Sequence, residues 1–258
     1  GGGHVARLAH QAGFDRQAGF EVVGVDYADL GPSEGEVAPG LRLMGKVGLE
    51  RLPFPAAHFD AATSQYGIEY ADTRLALGEL ARVLRPGGRA RLLVHHAESA
   101  VSRSSAAQAA AHDKVMPDDA VIQRARKAYA AHLKRVAPDA LRRAEDVFRQ
   151  AVTQAAAKLE DDEAFGQARY HVDYLADLAR GLARYAPQSA LGLLDVFEAG
   201  VAAWRQRHRS QAKAALDQGG LDAFLQRAAA KGLQTVEAAP ERDARGALVA
   251  WRIDLRKA

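Results

Sequence analysis

The 258-residue chain has no cysteine. That absence removes disulfide stapling, thiolate nucleophiles, cysteine-held zinc and iron–sulfur clusters from the functions open to it. Charge of one sign is lacking as well. The 35 basic and 32 acidic residues are interspersed and leave a formal charge of +3, too weak a field to expect nucleic acid as a partner. Aromatic residues make up 7% of the chain and do not alternate with basic ones as they do on a single-strand binding platform. No apolar run reaches the roughly 20 residues of a membrane-spanning helix, and the opening residues hold no charged segment followed by an apolar one. No membrane partner and a cytoplasmic location are therefore the expectation. The sequence also lacks H-E-x-x-H, a glutamate–histidine helix pair and an acidic calcium loop, so no metal is expected.

What is present is a globular composition, 48% hydrophobic, in a chain long enough to bury a sizeable core. Periodicity divides it at residues 1–99, 100–218 and 219–258. In the first region VARLAHQA (5–12) reads as a helix and EVVGVD (21–26) as a strand covered on both faces. LRLMGKV (41–47) and FDAATSQYG (59–67) are further strand candidates, and TRLALGELARVL (73–84) has the leucine spacing of a surface helix. Arg85-Pro86-Gly87-Gly88 stops that helix, since proline cannot extend it and glycine permits the reversal; ARLLVHH (90–96) follows as a strand. Residues 100–218 predict four or five helices, with Pro117, Pro138 and Pro187 near their boundaries. Their stripes do not sustain heptads, which favours a packed helical cap over a coiled coil. The tail reads as a helix (221–232) and two strands, LQTVEA and ALVAWRIDLR, forming an antiparallel hairpin. The fold class is α/β, a sheet covered by helices with a helical insertion.

Chemistry-bearing positions gather at predicted strand ends. Gly1, Gly2 and Gly3 allow close approach to a ligand before a helix N-terminus, and Asp26 ends a strand where a carboxylate can accept bonds from sugar hydroxyls. Gly1 to Ala6 fits G-x-G-x-x-A, a weak pattern alone; a flexible start and a turn acid remain open for these residues. His95 and His96 close a strand on opposite faces, so one of them at most serves as a general base at a given point. Tyr66 follows the strand at 59–65 as a chamber residue or a packed turn residue. Glu69 and Tyr70 read as substrate contacts or as a solvent-facing acid and a core tyrosine. In the insertion Tyr170, Tyr174, Phe197 and Trp204 are acceptor-binding or core candidates, and RQRHR (205–209) is an anion-attracting or a solvated stretch.

Taken together, GGG, EVVGVD, LERLPFPAAHFDAATS and ELARVLRPGGRARLLV resemble the class I S-adenosylmethionine-dependent methyltransferases, in their small-molecule, type 11-like branch. The resemblance covers roughly residues 1–96 and 219–258. It implies a Rossmann-like sheet with helices on both faces, a C-terminal antiparallel strand pair and a large helical insertion between strands five and six. The family's first strand and its acid before the glycine loop are absent from the sequence as given. The implied cofactor is S-adenosyl-L-methionine, held by Gly1, Gly2, Gly3, Asp26, Tyr27, Leu49, Glu50 and Gln65. Gly48-Leu49 stands where the family often has an adenine-binding carboxylate, and Glu50 is the nearest replacement. Read from their positions, the catalytic candidates are His95 and His96, and the acceptor-binding candidates Tyr66, Tyr70, Tyr170 and Tyr174. The partner is a small-molecule methyl acceptor, with a homodimer through the insertion as a further expectation. Two other readings are carried: a non-catalytic interaction protein of the same fold, and an NAD-dependent oxidoreductase, which the Pro-Gly-Gly turn and the terminal strand pair disfavour.

Overall fold

The computed structural model describes residues 3–15 and 21–258; Gly1 and Gly2 lie outside them. The chain divides into two compact units, Gly1–Ser99 with Ala214–Ala258, and Ala100–Lys213. The first carries all the sheet structure. Its elements are α1 (His4–Asp15), β1 (Val22–Val25), β2 (Gly35–Ala38), β3 (Leu41–Met44), β4 (Phe59–Gln65), α2 (Thr73–Val83), β5 (Leu84–His95), α8 (Gln218–Ala230), β6 (Leu233–Arg242) and β7 (Leu248–Lys257). The second holds α3 (Ala100–Val115), α4 (Ala120–Leu133), α5 (Pro138–Ala156), α6 (Gly166–Arg180) and α7 (Pro187–Ala214). The fold is α/β and Rossmann-like, with the helical unit inserted between β5 and β6.

Among the described residues the strands form two sheets, ordered β1-β3-β2 and β4-β5-β7-β6. The pairs β1–β3 and β4–β5 are parallel, whereas β5–β7 and β6–β7 are antiparallel. Where the expectation was one sheet lacking its first strand, the described strands form two separate ladders, each holding one parallel pair. The short strand β2 was not foreseen; it pairs antiparallel to β3 with a register shift between Glu36 and Ala38. Gly24 lets α1 settle on this sheet, because a Cβ there would stand 2.9 Å from the Ala6 Cβ and 2.7 Å from Leu43.

The Pro-Gly-Gly turn takes a form the sequence did not predict. Helix α2 ends at Val83 as expected, yet Arg85-Pro86-Gly87-Gly88 lies within β5 as a bulge. The ladder passes from Phe59–Leu84 to Ala61–Arg89. Gly87 adopts φ +77° there, and a side chain on Gly88 would meet the Arg85 carbonyl at 2.8 Å, so both glycines are needed by the backbone itself. Arg82 fastens the preceding loop to α2, donating to the carbonyls of Phe54 at 2.6 Å and Leu52 at 3.0 Å.

Each unit has its own core. In the sheet unit Leu77, Leu84, Val94, Phe224 and Ile253 are fully enclosed. In the helical unit Ile122, Tyr129, Phe148, Leu175 and Leu194 are. Residues 214–218, expected in the insertion, belong to the sheet unit. Leu216 donates its amide to the His95 carbonyl at 2.8 Å, and its own carbonyl accepts from Ala97 N and Trp251 Nε1, both at 2.9 Å.

Candidate functional site

The parallel strands β4 and β5 end side by side, with Gln65 paired to Leu93. Beyond β4 the chain turns sharply. Tyr66 sits at φ +53°, an uncommon backbone state for a bulky residue. Ser64 Oγ then accepts the Ile68 amide at 3.1 Å, and residues Ile68–Tyr70 form one 3-10 turn. Ile68 is buried in the sheet unit's core, and that anchor turns Glu69 inward. The Glu69 side chain is 0% exposed. Its Oε1 accepts from the His95 backbone N at 3.1 Å, and the His95 ring Nδ1 lies within hydrogen-bond distance of the same oxygen at 2.8 Å. The rings of Tyr66 and Tyr70 stand 4.4 Å and 5.7 Å from the imidazole. Burial pushes both tyrosine hydroxyls above the ordinary range, and the Glu69 charge pushes the same way.

Tyr66, Tyr70 and His95 are thus brought together, around an acid that the sequence left ambiguous. Glu69 is neither solvent-facing nor a bare substrate contact. The readable signal was apolar Ile68 between a glycine and the acid. Tyr70 is 45% exposed rather than a core residue.

His96 goes elsewhere. Its ring stacks on Trp251 at 4.2 Å, and its Nδ1 accepts from the Glu98 amide at 3.0 Å. Burial lowers its basicity, with Arg242 adding to that and Glu98 opposing it. The alternation of β5 separates the two histidines, and His96 serves packing.

At the other parallel pair, Asp26 follows β1. Its Oδ1 accepts from the Ala28 amide at 2.9 Å, and its backbone N donates to Met44 O at 3.0 Å. Gly3 has φ +73°, and a Cβ on it would lie 2.5 Å from Leu43 Cδ1; within the described structure the close approach is to β3. Its carbonyl accepts from Arg7 N at 2.9 Å, which leaves first-turn amides of α1 without helical partners. Tyr27 is 85% exposed. Leu49 packs against the sheet unit's core. Glu50 Oε1 accepts from the Asp72 amide at 3.0 Å and ties the loop to α2. Gln65 is exposed at the end of β4.

The remaining candidates lie in the helical unit. Tyr174 stacks on Phe197 at 4.5 Å and packs against that unit's core, whereas Tyr170 is 62% exposed. Trp204 is buried between His112 and His208, at 4.8 Å and 4.2 Å. Of RQRHR, Arg205 is bound to Asp119 at 2.5 Å and His208 Nδ1 to Ser105 Oγ at 2.5 Å, so part of that stretch is structural. An open cavity of about 410 Å³ is walled by Ser104, Ser105, Gln108 and His208. Among the described residues no cluster of three or more metal-ligating side chains occurs, and no helix is long and apolar enough to cross a membrane.

Two parallel strand pairs flanked by helices, with Asp26 just past β1 and Gln65 and His95 ending β4 and β5, make the fold Rossmann-like, a class that binds ligands at its strand ends. Residues 1–92 match the family model described as "Methyltransferase domain". It is 42% identical over 85 residues to a demethylmenaquinone methyltransferase of Thermus thermophilus, covering 29% of this chain and 36% of that protein. It is 52% identical over 46 residues to a 2-phytyl-1,4-naphtoquinone methyltransferase of Synechococcus elongatus, covering 17% of this chain and 20% of that one. The alignments therefore span between a fifth and about a third of these curated relatives' lengths. Among solved structures, an S-adenosylmethionine-dependent methyltransferase from Mesorhizobium loti aligns at 26% identity and a TM-score of 0.31, over 37% of this chain and 44% of that one.

Proposed function

We propose that the protein is an S-adenosylmethionine-dependent methyltransferase that acts on an oxygen or nitrogen of a small organic acceptor. The observation that carries this reading is the family match over residues 1–92, the stretch that includes β4, the Glu69 turn and most of β5. When bound, S-adenosylmethionine supplies a methyl group already activated on a sulfonium, so the protein need only orient, exclude water and manage a proton.

The residues present suit that cofactor at several points. Asp26, at the end of a parallel strand, offers a carboxylate to ribose hydroxyls. The first-turn amides of α1, which have no partner within the helix, suit the cofactor's polar amino-acid end, and Gln65 stands exposed at the end of β4. Glu50 suits the adenine less well, since one oxygen is committed to Asp72. In this reading His95 takes the acceptor's proton while Tyr66 and Tyr70 wall the chamber. The helical unit selects the acceptor, a role supported by a cavity of about 410 Å³, which is small-molecule size. A homodimer through this unit belongs to the same reading, since Leu193 and Val196 stand exposed on α7; sedimentation showing only monomer removes it.

Calorimetric titration with S-adenosylmethionine and with NAD tests the reading. Binding of the first, weakened at least ten-fold by Asp26→Ala, supports it, and binding of NAD alone overturns it. Binding of neither selects the second reading, a non-catalytic interaction protein, which the commitment of Glu50 favours.

A further inference from the structure

The carboxylate of Glu69 is engaged on one side. Its Oε1 accepts from the His95 amide and lies 2.8 Å from the His95 ring Nδ1, while Oε2 is buried without a partner. With Nδ1 directed at an acceptor oxygen, Nε2 is the ring nitrogen that faces away from Glu69. No hydrogen bond among the described residues reaches Nε2, and the ring retains 11% exposure. Tyr66 and Tyr70 flank the imidazole, and Tyr66 does so from a strained backbone at φ +53°, a cost kept at places where a side chain's position matters.

We propose that Glu69 is a positioning residue that fixes His95 as the tautomer with a bare Nε2, and that the acceptor served by this site is a hydroxyl compound. The proposal rests on the methyltransferase reading. A neutral amine attacks with a lone pair it already has, whereas a hydroxyl must shed a proton as it attacks, so a built base serves a hydroxyl most directly. In the transfer the acceptor oxygen bonds to the methyl carbon, the carbon–sulfur electron pair stays on sulfur, and the hydroxyl proton goes to His95 Nε2. The Glu69 charge then balances the imidazolium. The other titratable groups facing the ring are Tyr66 from the end of β4 and Tyr70 from the turn, with Glu241 of β6 acting on Tyr66. Both tyrosines stay protonated near neutral pH and leave the base role to His95.

The test begins with the ring itself. Nitrogen-15 spectra of the intact protein at neutral pH should show His95 protonated on Nδ1 and bare on Nε2. Glu69→Leu, similar in volume and without an acceptor, should give mixed tautomers. With S-adenosylmethionine and 2-naphthol as probe, it should lower kcat about ten- to hundred-fold at unchanged cofactor affinity. Glu69→Gln keeps an acceptor oxygen and loses the charge, so the acid limb of kcat/KM should move down by about one pH unit; Glu69→Asp should move it back. A His95 ring protonated on Nε2, or a Glu69→Leu protein with unchanged tautomer and kcat, overturns the positioning role. Cofactor binding without transfer to 2-naphthol overturns the hydroxyl assignment. Failure of the wild-type protein to bind S-adenosylmethionine defeats the methyltransferase reading instead, and the ring spectra still decide the role of Glu69.

Discussion

Both units bury histidine, but with opposite company. In the sheet unit His95 meets a buried carboxylate and keeps one nitrogen open. In the helical unit His112 and His171 meet each other, Nε2 to Nδ1 at 3.0 Å, at 0% and 4% exposure, and burial, reinforced by the Arg205 charge, pushes both down to about 4. A carboxylate partner prepares an imidazole to gain a proton; a second imidazole and a guanidinium prevent it. On the proposed reading the same residue type handles a proton in one unit, while in the other it is packed neutral. The sharpest way to break this contrast is to remove each ring's nitrogens. His95→Gln should cut methyl transfer by about 10²–10⁴-fold, the usual worth of a general base, with cofactor affinity retained. His96→Gln should change the turnover of folded protein less than ten-fold. Equal losses in the two variants would erase the distinction drawn within β5.

Acid should separate the units next. The unfolded chain takes up protons on His112 and His171 as pH falls below the ordinary 6.5, while the folded protein resists until about 4. Stability from keeping these rings neutral is therefore complete above about pH 6.5 and lost between there and about 4, on the order of 3 kcal/mol per ring. The charges facing the pair are Arg205 and Arg209 of α7, which disfavour protonation of His112, and Asp113 of α3, which favours it. Hydrogen exchange should show α3 and α6 opening across that window, and His171→Leu should shrink the response. Protection that stays level from pH 7 to 4 would mean the rings are not held neutral.

Much of the sheet unit was legible because its signals are local. The apolar run EVVGVD, the leucine spacing of α2 and the alternation of ALVAWRIDLR each encode their own element within a few residues. The bulge at Pro86-Gly87-Gly88 was not legible, since a helix stop and a strand bulge use the same residues and only the β4 register separates them. The site was half legible. His95 at a strand end could be singled out, but choosing it over His96 requires Glu69, and that pairing depends on Ile68 being anchored in a core assembled from distant segments. In the helical unit the stripes gave the helices and left Tyr174 undecided, because core packing and acceptor binding use the same apolar spacing. Its stack on Phe197 gives Tyr174 a packing role.

Separate cores imply that stability losses should stay within a unit. The Tyr129 hydroxyl donates to the Leu178 carbonyl at 2.8 Å inside the helical unit, and burial pushes it up to about 12. Tyr129→Phe should cost about 1–2 kcal/mol by leaving that buried carbonyl short of a donor. Exchange should rise in α4 and α6, with β5 and β7 unchanged.

The mildest test lies where the chain returns to the sheet unit. Asp217 caps α8 by accepting the Gly220 amide at 2.7 Å, one residue after Leu216 has bonded to His95, Ala97 and Trp251. Asp217→Ala should cost about 1 kcal/mol, the usual worth of such a cap. Because Leu221 and Phe224 of α8 lie in the same core as Trp251, the loss should appear as faster exchange in α8 and β7. If α5 and α6 loosened by a similar amount, the two cores would be one cooperative body, and the contrast between a proton-handling unit and a neutral-packing unit would describe chemistry only, not folding.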